Sequence, residues 1–383
     1  MRYYLVVGER SGDLHGGNLV KAISKLDSQA TFQGFGGNQM QEAGVKLSVH
    51  YRDMAFMGFI SLATSLFKIF KFIKFCKKDI LEFKPDAIVL IDYGGFNLQI
   101  AKFATRSGLK VFYYIPPKVW AWYQSRAWKL KENVDRMFVI LPFEKEFFKK
   151  YDFEVDYVGN PVLDAIKAFK PSSEFISKHN FDPSKKIVAL LPGSRKIELK
   201  KIVPLMAKVA ELNSEVQFVV AKVSSLPDEL YQALTDKNNV KFVEEETYDL
   251  LSIANAAIVT SGTATLETGI FKVPQVVVYK TTPLEYSIAN FLVQVEFISL
   301  VNLIAGKEVI KELIQTRATK EFINAELNKL LFDKTYSSTM TDEYESVYKI
   351  LDTGSASENT ARLIMQHLAH PSPDSYRDGD GQG

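Results

Sequence analysis

The chain has a single cysteine, Cys76, in 383 residues, so no internal disulfide can form and a reducing, cytoplasmic setting is expected. It also lacks a charge of one sign. Lys and Arg number 47 against 45 Asp and Glu, a net charge of +2 that gives no general attraction to a polyanion. The greasiest stretch, residues 56–75, is broken by lysines, whereas a membrane-spanning helix needs about 20 predominantly apolar residues. Ahead of the strand-like Tyr3-Tyr4-Leu5-Val6-Val7 there is no basic segment, apolar stretch and cleavage site, so no secretory signal is expected. No Walker loop and no GxGxxG spacing follows any apolar run, which makes phosphoryl and hydride transfer poor readings. No Asp-x-Asp pair stands at a strand end, so no metal and no cofactor are expected.

What is present is a core-forming composition, 46% hydrophobic, over a length that suits two domains. Short apolar runs at 3–7, 31–35, 86–92, 110–115, 136–141 and 155–158 alternate with helical patterns. The alternation restarts at 187–191, 216–221, 240–243, 256–260 and 275–278. Continuous runs such as Ala87-Ile88-Val89-Leu90-Ile91 suit parallel strands buried on both faces. The expected architecture is α/β, two Rossmann-like doubly wound domains with a helical C-terminal region. The expected boundaries are 1–160, then 161–369 with an amphipathic helical stretch from about 307, then a Pro-, Gly-, Ser- and Asp-rich tail, 370–383, expected to be disordered. A ligand cleft bounded by strand carboxyl ends, drawing on both halves, is expected from such a pair.

Two strand-to-helix turns in the second half look built for a phosphorylated ligand. In Leu190-Leu191-Pro192-Gly193-Ser194-Arg195 and Thr260-Ser261-Gly262-Thr263-Ala264-Thr265-Leu266-Glu267, small residues would let phosphate oxygens reach unpaired backbone N–H groups at a helix N-terminus. Arg195 can add a planar fork of donors to a diphosphate. Glu267, one turn into the second helix, suits ribose hydroxyls better than phosphate. Either turn alone also reads as an ordinary connection with small residues; together they point to a nucleoside diphosphate.

In the first half, Gly8-Glu9-Arg10-Ser11-Gly12-Asp13 is another strand-to-helix turn, but its two carboxylates would repel phosphate, so a sugar or a cleft-shaping role fits better. Asp92 directly follows a buried run and could serve as a general base, or could simply cap the helix that follows.

At this point the chain resembles the lipid-A-disaccharide synthases, inverting glycosyltransferases of the two-Rossmann GT-B fold. The resemblance spans nearly the whole length and rests on GERSGDLHG at 8–16, GFGGNQM at 34–40, MGF at 57–59, IDYGGFN at 91–97, PPKVWAW at 116–122, LPFEKEFF at 141–148, VGNP at 158–161, LLPGSR at 190–195, SGTATLE at 261–267 and SLVNLIAG at 299–306. It implies transfer of 2,3-diacylglucosamine from UDP-2,3-diacylglucosamine to 2,3-diacylglucosamine 1-phosphate (lipid X) in lipid A biosynthesis, for the Gram-negative outer membrane. It further implies Asp92 as the base, with Glu9, Ser11 and Asp13 as cleft residues needed for activity. For the UDP-sugar it implies Gly193, Ser194, Arg195, Ser261, Gly262, Thr263, Glu267 and Asn302. Two departures stand out: Arg10 where the family often reads GEASGD, and Gly95 where it often has a second acid, which concentrates the base assignment on Asp92. Another UDP-sugar enzyme of the same fold, a UDP-N-acetylglucosamine epimerase or transferase, and a non-catalytic lipid- or nucleotide-binding protein remain as alternatives.

Within 56–75, Lys68, Lys71 and Lys74 recur at helical spacing beside Phe67, Phe70 and Phe72. Such a helix could lie on the inner membrane's cytoplasmic face, as acylated substrates would favour, or could be a core-packed crossover with solvated lysines. Trp120, Trp122, Tyr123 and Trp128 interleave with Lys118, Arg126, Lys129 and Lys131, a pattern read as sugar and lipid-phosphate contacts, with no nucleic acid expected. The oligomeric state, a homo-oligomer included, is left open.

Overall fold

The computed structural model describes residues 1–55, 62–282, 286 and 295–370. The MGF motif at 57–59, the start of the expected surface segment and the tail at 371–383 lie outside the described residues. The chain divides into two units, Met1–Pro161 with Thr353–Gly383, and Val162–Asp352.

The first unit carries β1 (Arg2–Val6), β2 (Thr31–Gly36), β3 (Lys46–His50), β4 (Ala87–Ile91), β5 (Lys110–Tyr114), β6 (Arg136–Val139) and β7 (Asp156–Tyr157). They form one sheet in the order β3-β2-β1-β4-β5-β6-β7, every neighbouring pair parallel. β4 is buried at all five positions, as a strand covered by helices on both faces must be. The second unit holds β8 (Ile187–Leu191), β9 (Gln217–Lys222), β10 (Val240–Glu244), β11 (Ala256–Thr260), β12 (Gln275–Tyr279) and β13 (Lys311–Ile314), ordered β10-β9-β8-β11-β12-β13 and again parallel. The doubly wound expectation is met in both units.

Both sheets reverse direction once. In the first the chain goes from β1 out to β3 and returns on the other side of β1 with β4; in the second it leaves β8 for β10 and returns with β11. The connections that follow β1 and β4, or β8 and β11, therefore diverge, and the gap they leave at the strand carboxyl ends is where open α/β sheets bind ligands. All four turns singled out from the sequence stand at these two points.

Three features differ from the expectation. β3 and β13 are edge strands of five and four residues that no long apolar run announces. β13 interrupts the stretch from 307 that was expected to be helical throughout. The helix Ala356–Ala369 belongs to the first unit rather than to the 161–369 domain: Ala356, Ala361 and Ile364 join the core that contains Tyr3, Leu5 and Leu19. Its return is fixed by polar ties as well, since Asn359 donates to the carbonyls of Val158 and Thr353, both at 3.0 Å, and the Tyr3 hydroxyl lies 3.1 Å from Met365 Sδ.

Candidate functional site

In the first unit the turn after β1 opens the helix Arg10–Leu26, with Glu9 as its N-terminal boundary residue in extended conformation. Glu9 and Ser11 are exposed there, whereas Asp13 is 3% exposed. Asp13 is fully engaged. Its Oδ1 accepts the backbone N–H groups of Gly37 (2.7 Å) and Met40 (3.1 Å), and its Oδ2 that of Gln39 (3.1 Å). This carboxylate therefore braces the connection after β2, and the structure separates it from Glu9 and Ser11, with which the sequence grouped it. His15, further along the helix, is driven by burial down to a pKa of about 4 and stays neutral near pH 7.

Beside this turn, the chain leaves β4 through two consecutive left-handed residues, Asp92 (φ 50°) and Tyr93 (φ 49°). Such backbone costs about 1–3 kcal/mol per residue and persists only where the surroundings enforce it. Here the Asp92 carbonyl accepts from the Tyr113 hydroxyl (2.6 Å) and from Asn97 Nδ2 (2.8 Å), while the Asp92 N–H donates to the Ile115 carbonyl (3.1 Å). The Tyr93 ring fills the space a side chain at Gly8 would need, so the two turns are packed together. The Asp92 side chain does not cap the helix Gly94–Arg106, whose boundary residue is Tyr93 and which has no side-chain cap. Asp92 Oδ1 accepts only the adjacent Tyr93 N–H (2.9 Å), and among the described residues no hydrogen bond reaches Oδ2. Burial raises this carboxyl above the ordinary carboxylate range, opposed by the Tyr93 N–H and by the charge of Lys118. A free, partly desolvated carboxylate oxygen at a switch point has what a general base requires.

In the second unit, Gly193 (φ 97°) turns the chain out of β8 so that Arg195 opens the helix Lys196–Glu211. Arg195 is 80% exposed at its side chain, and Nη1 donates to Glu198 Oε1 at 3.3 Å. The Thr260 hydroxyl, at the end of β11, is buried with no hydrogen-bond partner among the described residues. Gly262 (φ 140°) then opens the helix Thr263–Ile270. Ser261 Oγ donates to the Ile298 carbonyl (3.0 Å), and Thr263 is exposed at the helix start. Glu267 accepts from the Tyr248 hydroxyl (3.1 Å) and, among the described residues, from nothing else; burial raises its pKa. Asn302 differs from the rest of the expected UDP-sugar set. Its Nδ2 donates to the Ile310 carbonyl (2.9 Å) and Glu312 Oε1 (3.0 Å), and its Oδ1 accepts from Val309 (2.8 Å) and Ile310 (2.9 Å). All four of its hydrogen bonds are spent on shaping the chain between Ser299 and Glu312.

The helix Leu62–Phe83 buries one face and leaves another exposed. Ile73, Cys76 and Ile80, spaced by three and four, are buried on one face, whereas Phe67 is 75% and Phe70 67% exposed, with Lys68, Lys71 and Lys74 exposed beside them. Phe72 is half-buried. No described helix is long and apolar enough to cross a membrane.

A family model described as lipid-A-disaccharide synthetase matches residues 3–365. The chain belongs to this family. The lipid-A-disaccharide synthase of Geobacter metallireducens is 36% identical to it over 373 residues, covering 96% of this chain and 97% of that one. Among solved structures, a UDP-GlcNAc 2-epimerase from Neisseria meningitidis bound to UDP-GlcNAc aligns with a TM-score of 0.64 at 14% identity, over 96% of this chain and 100% of that one. A calicheamicin glycosyltransferase aligns with a TM-score of 0.62 at 12% identity, over 97% and 98%. These remote likenesses speak for the fold alone, two Rossmann-like units of the GT-B type. The lipid-A-disaccharide synthases are glycosyltransferases, and against a match of this extent the epimerase and non-catalytic alternatives are not favoured.

Proposed function

We propose that this chain transfers the diacylglucosaminyl group of UDP-2,3-diacylglucosamine to the primary hydroxyl of lipid X, with inversion, giving the β-1,6-linked lipid A disaccharide 1-phosphate and UDP. The observation that carries the mechanism is Asp92, a carboxylate with one oxygen unoccupied among the described residues, on a strained turn at the switch point of its sheet. Asp92 takes the proton of the acceptor hydroxyl as that oxygen bonds to the anomeric carbon of the donor. The bond from that carbon to the diphosphate oxygen breaks in the same displacement, and UDP departs. Negative charge growing on UDP is met by Arg195 and by the backbone N–H groups of Ser194, Arg195 and Thr263 at two helix starts, donors already oriented before reaction. Glu267, with its spare oxygen, accepts the ribose hydroxyls. Glu9 and Ser11 contact the acceptor sugar, while Asp13 and Asn302 act by holding backbone in place.

Phe67 and Phe70 insert at the cytoplasmic face of the inner membrane, with Lys68, Lys71 and Lys74 on anionic headgroups at about 1 kcal/mol each. The acyl chains of both substrates then stay in an apolar medium.

Mass spectrometry of the products formed by the purified chain from the two acylated monosaccharides tests the reaction. The expected product is the disaccharide 1-phosphate with an equal amount of UDP. Tight UDP binding without turnover, or preferential conversion of non-acylated UDP-N-acetylglucosamine, overturns the proposal.

A further inference from the structure

The connection after β5 is clamped from two sides. At its start Ile115 is left-handed (φ 59°); its N–H donates to the Phe138 carbonyl (3.0 Å) and its carbonyl accepts from the Asp92 N–H (3.1 Å). On one flank Pro117 rests against Gly94, where a Cβ would come within 2.8 Å of Pro117 Cβ, an approach that only glycine permits. On the other flank Trp120 is 5% exposed, meets the Phe143 ring edge-on at 4.9 Å, and donates Nε1–H to Glu144 Oε1 at 3.1 Å. Glu144 is 2% exposed, and its Oε2 accepts the backbone N–H groups of Leu141 (2.9 Å) and Ile140 (3.2 Å).

All three of these partners are donors, which suits a carboxylate and not a carboxylic acid. Burial works against ionisation and pushes the group up to about 7, opposed first by the Leu141, Trp120 and Ile140 donors and then by the Lys118 charge. Ile115 bonded to the Asp92 N–H and Pro117 packed on Gly94 run the connection alongside the Asp92 turn, and Lys118, the next residue after Pro117, works to lower both carboxyls. The other titratable groups facing the pair are the Tyr157 hydroxyl towards Glu144 and the Tyr113 hydroxyl towards Asp92, while the Tyr93 hydroxyl faces Glu9. Glu144 is not used by the reaction as written above, and a buried carboxylate held only by donors is expensive to keep without a return elsewhere.

We propose that Glu144 is a positioning residue for the transfer reaction: through Trp120 it anchors residues 116–120, and that anchor keeps the Lys118 charge close to Asp92. The inference rests on Asp92 as the base. With Lys118 held there, Asp92 remains ionised and ready to accept the hydroxyl proton; with the anchor cut, the cation drifts and the base protonates at higher pH.

The test compares the full wild-type chain with Trp120→Phe, Glu144→Gln and Lys118→Met. Trp120→Phe keeps the ring contacts and deletes only the N–H donor, so it reports even where Glu144→Gln fails to fold. Two readouts are taken, kcat/KM against pH and the titration of the Asp92 carboxyl carbon by NMR. Expected in each variant is an upward shift of the acid limb matched by an upward shift of the Asp92 titration, with turnover recovering at high pH. Combining Trp120→Phe with Lys118→Met should add no further shift, because both act through one cation. An Asp92 titration unchanged in Trp120→Phe, or a loss of turnover by the same factor at every pH, overturns the inference. A shifted Asp92 titration with an unmoved kcat/KM profile removes Asp92 as the base, and the inference with it.

Discussion

Replacing Asp13 separates a brace from a catalyst. The carboxylate is buried and accepts three backbone N–H groups, so Asp13→Ala strands the buried Gly37 and Met40 donors and unpairs the part-buried Gln39 N–H. Each buried, unsatisfied donor costs about 1–3 kcal/mol, which for the two buried donors puts the loss at about 2–6 kcal/mol. Asp13→Asn is milder. Its remaining oxygen can keep the Gly37 and Met40 bonds, both made to Oδ1, while the amide NH2 opposes the Gln39 N–H, a loss of about 1.5–3 kcal/mol. At about 2–4 °C per kcal/mol for a unit of this size, the first unfolding transition should fall by roughly 4–24 °C in Asp13→Ala and by roughly 3–12 °C in Asp13→Asn. Thermal unfolding followed by circular dichroism reads these shifts, and turnover is measured well below the lower transition. If Asp13 acts only through the backbone it holds, Asp13→Asn regains most of its turnover at low temperature. A melting temperature equal to wild type together with abolished turnover would refute the brace and make Asp13 a substrate contact.

Asp92→Asn should lower kcat by roughly 100-fold or more and leave UDP affinity nearly intact; a folded variant with wild-type turnover removes the base assignment. Lys68, Lys71 and Lys74 changed to Glu should abolish binding to anionic vesicles at low salt and matter little at high salt, whereas Phe67→Ser with Phe70→Ser should weaken binding at both, since apolar insertion is not screened. Vesicle sedimentation unaffected by either set would leave this helix as a structural element only. His15 has a folded pKa near 4 against an ordinary 6.5, so the unfolded chain takes up a proton between those values and the folded chain does not. Stability is therefore lost as pH falls from about 6.5 to 4, by up to about 3 kcal/mol, and His15→Gln should flatten that part of the melting profile. Parallel pH profiles for the two proteins would show that His15 titrates normally.

Much of this protein follows from local sequence. Buried parallel strands such as β4, β8 and β11 read as continuous apolar runs because both their faces are covered, and the turns at 8–13, 92–97, 192–195 and 261–267 read as ligand turns because small residues and chemistry-bearing side chains meet at strand ends. These are properties of neighbours in the chain. The remainder depends on partners far apart in sequence. Nothing local to Asp13 or Asn302 says that backbone at 37–40 or 309–310 takes up their hydrogen bonds. Glu144 sits within a motif that marked the family, yet its part emerges only when Trp120, 24 residues earlier, delivers an indole N–H to it. The amphipathic helix Ala356–Ala369 announces an apolar face but not which sheet will cover it, and it returns to the first. Periodicity and turn chemistry are encoded over a few residues and survive in a linear reading; which polar group is satisfied, and by whom, is decided when distant segments are brought within about 3 Å, and only the tertiary structure does that.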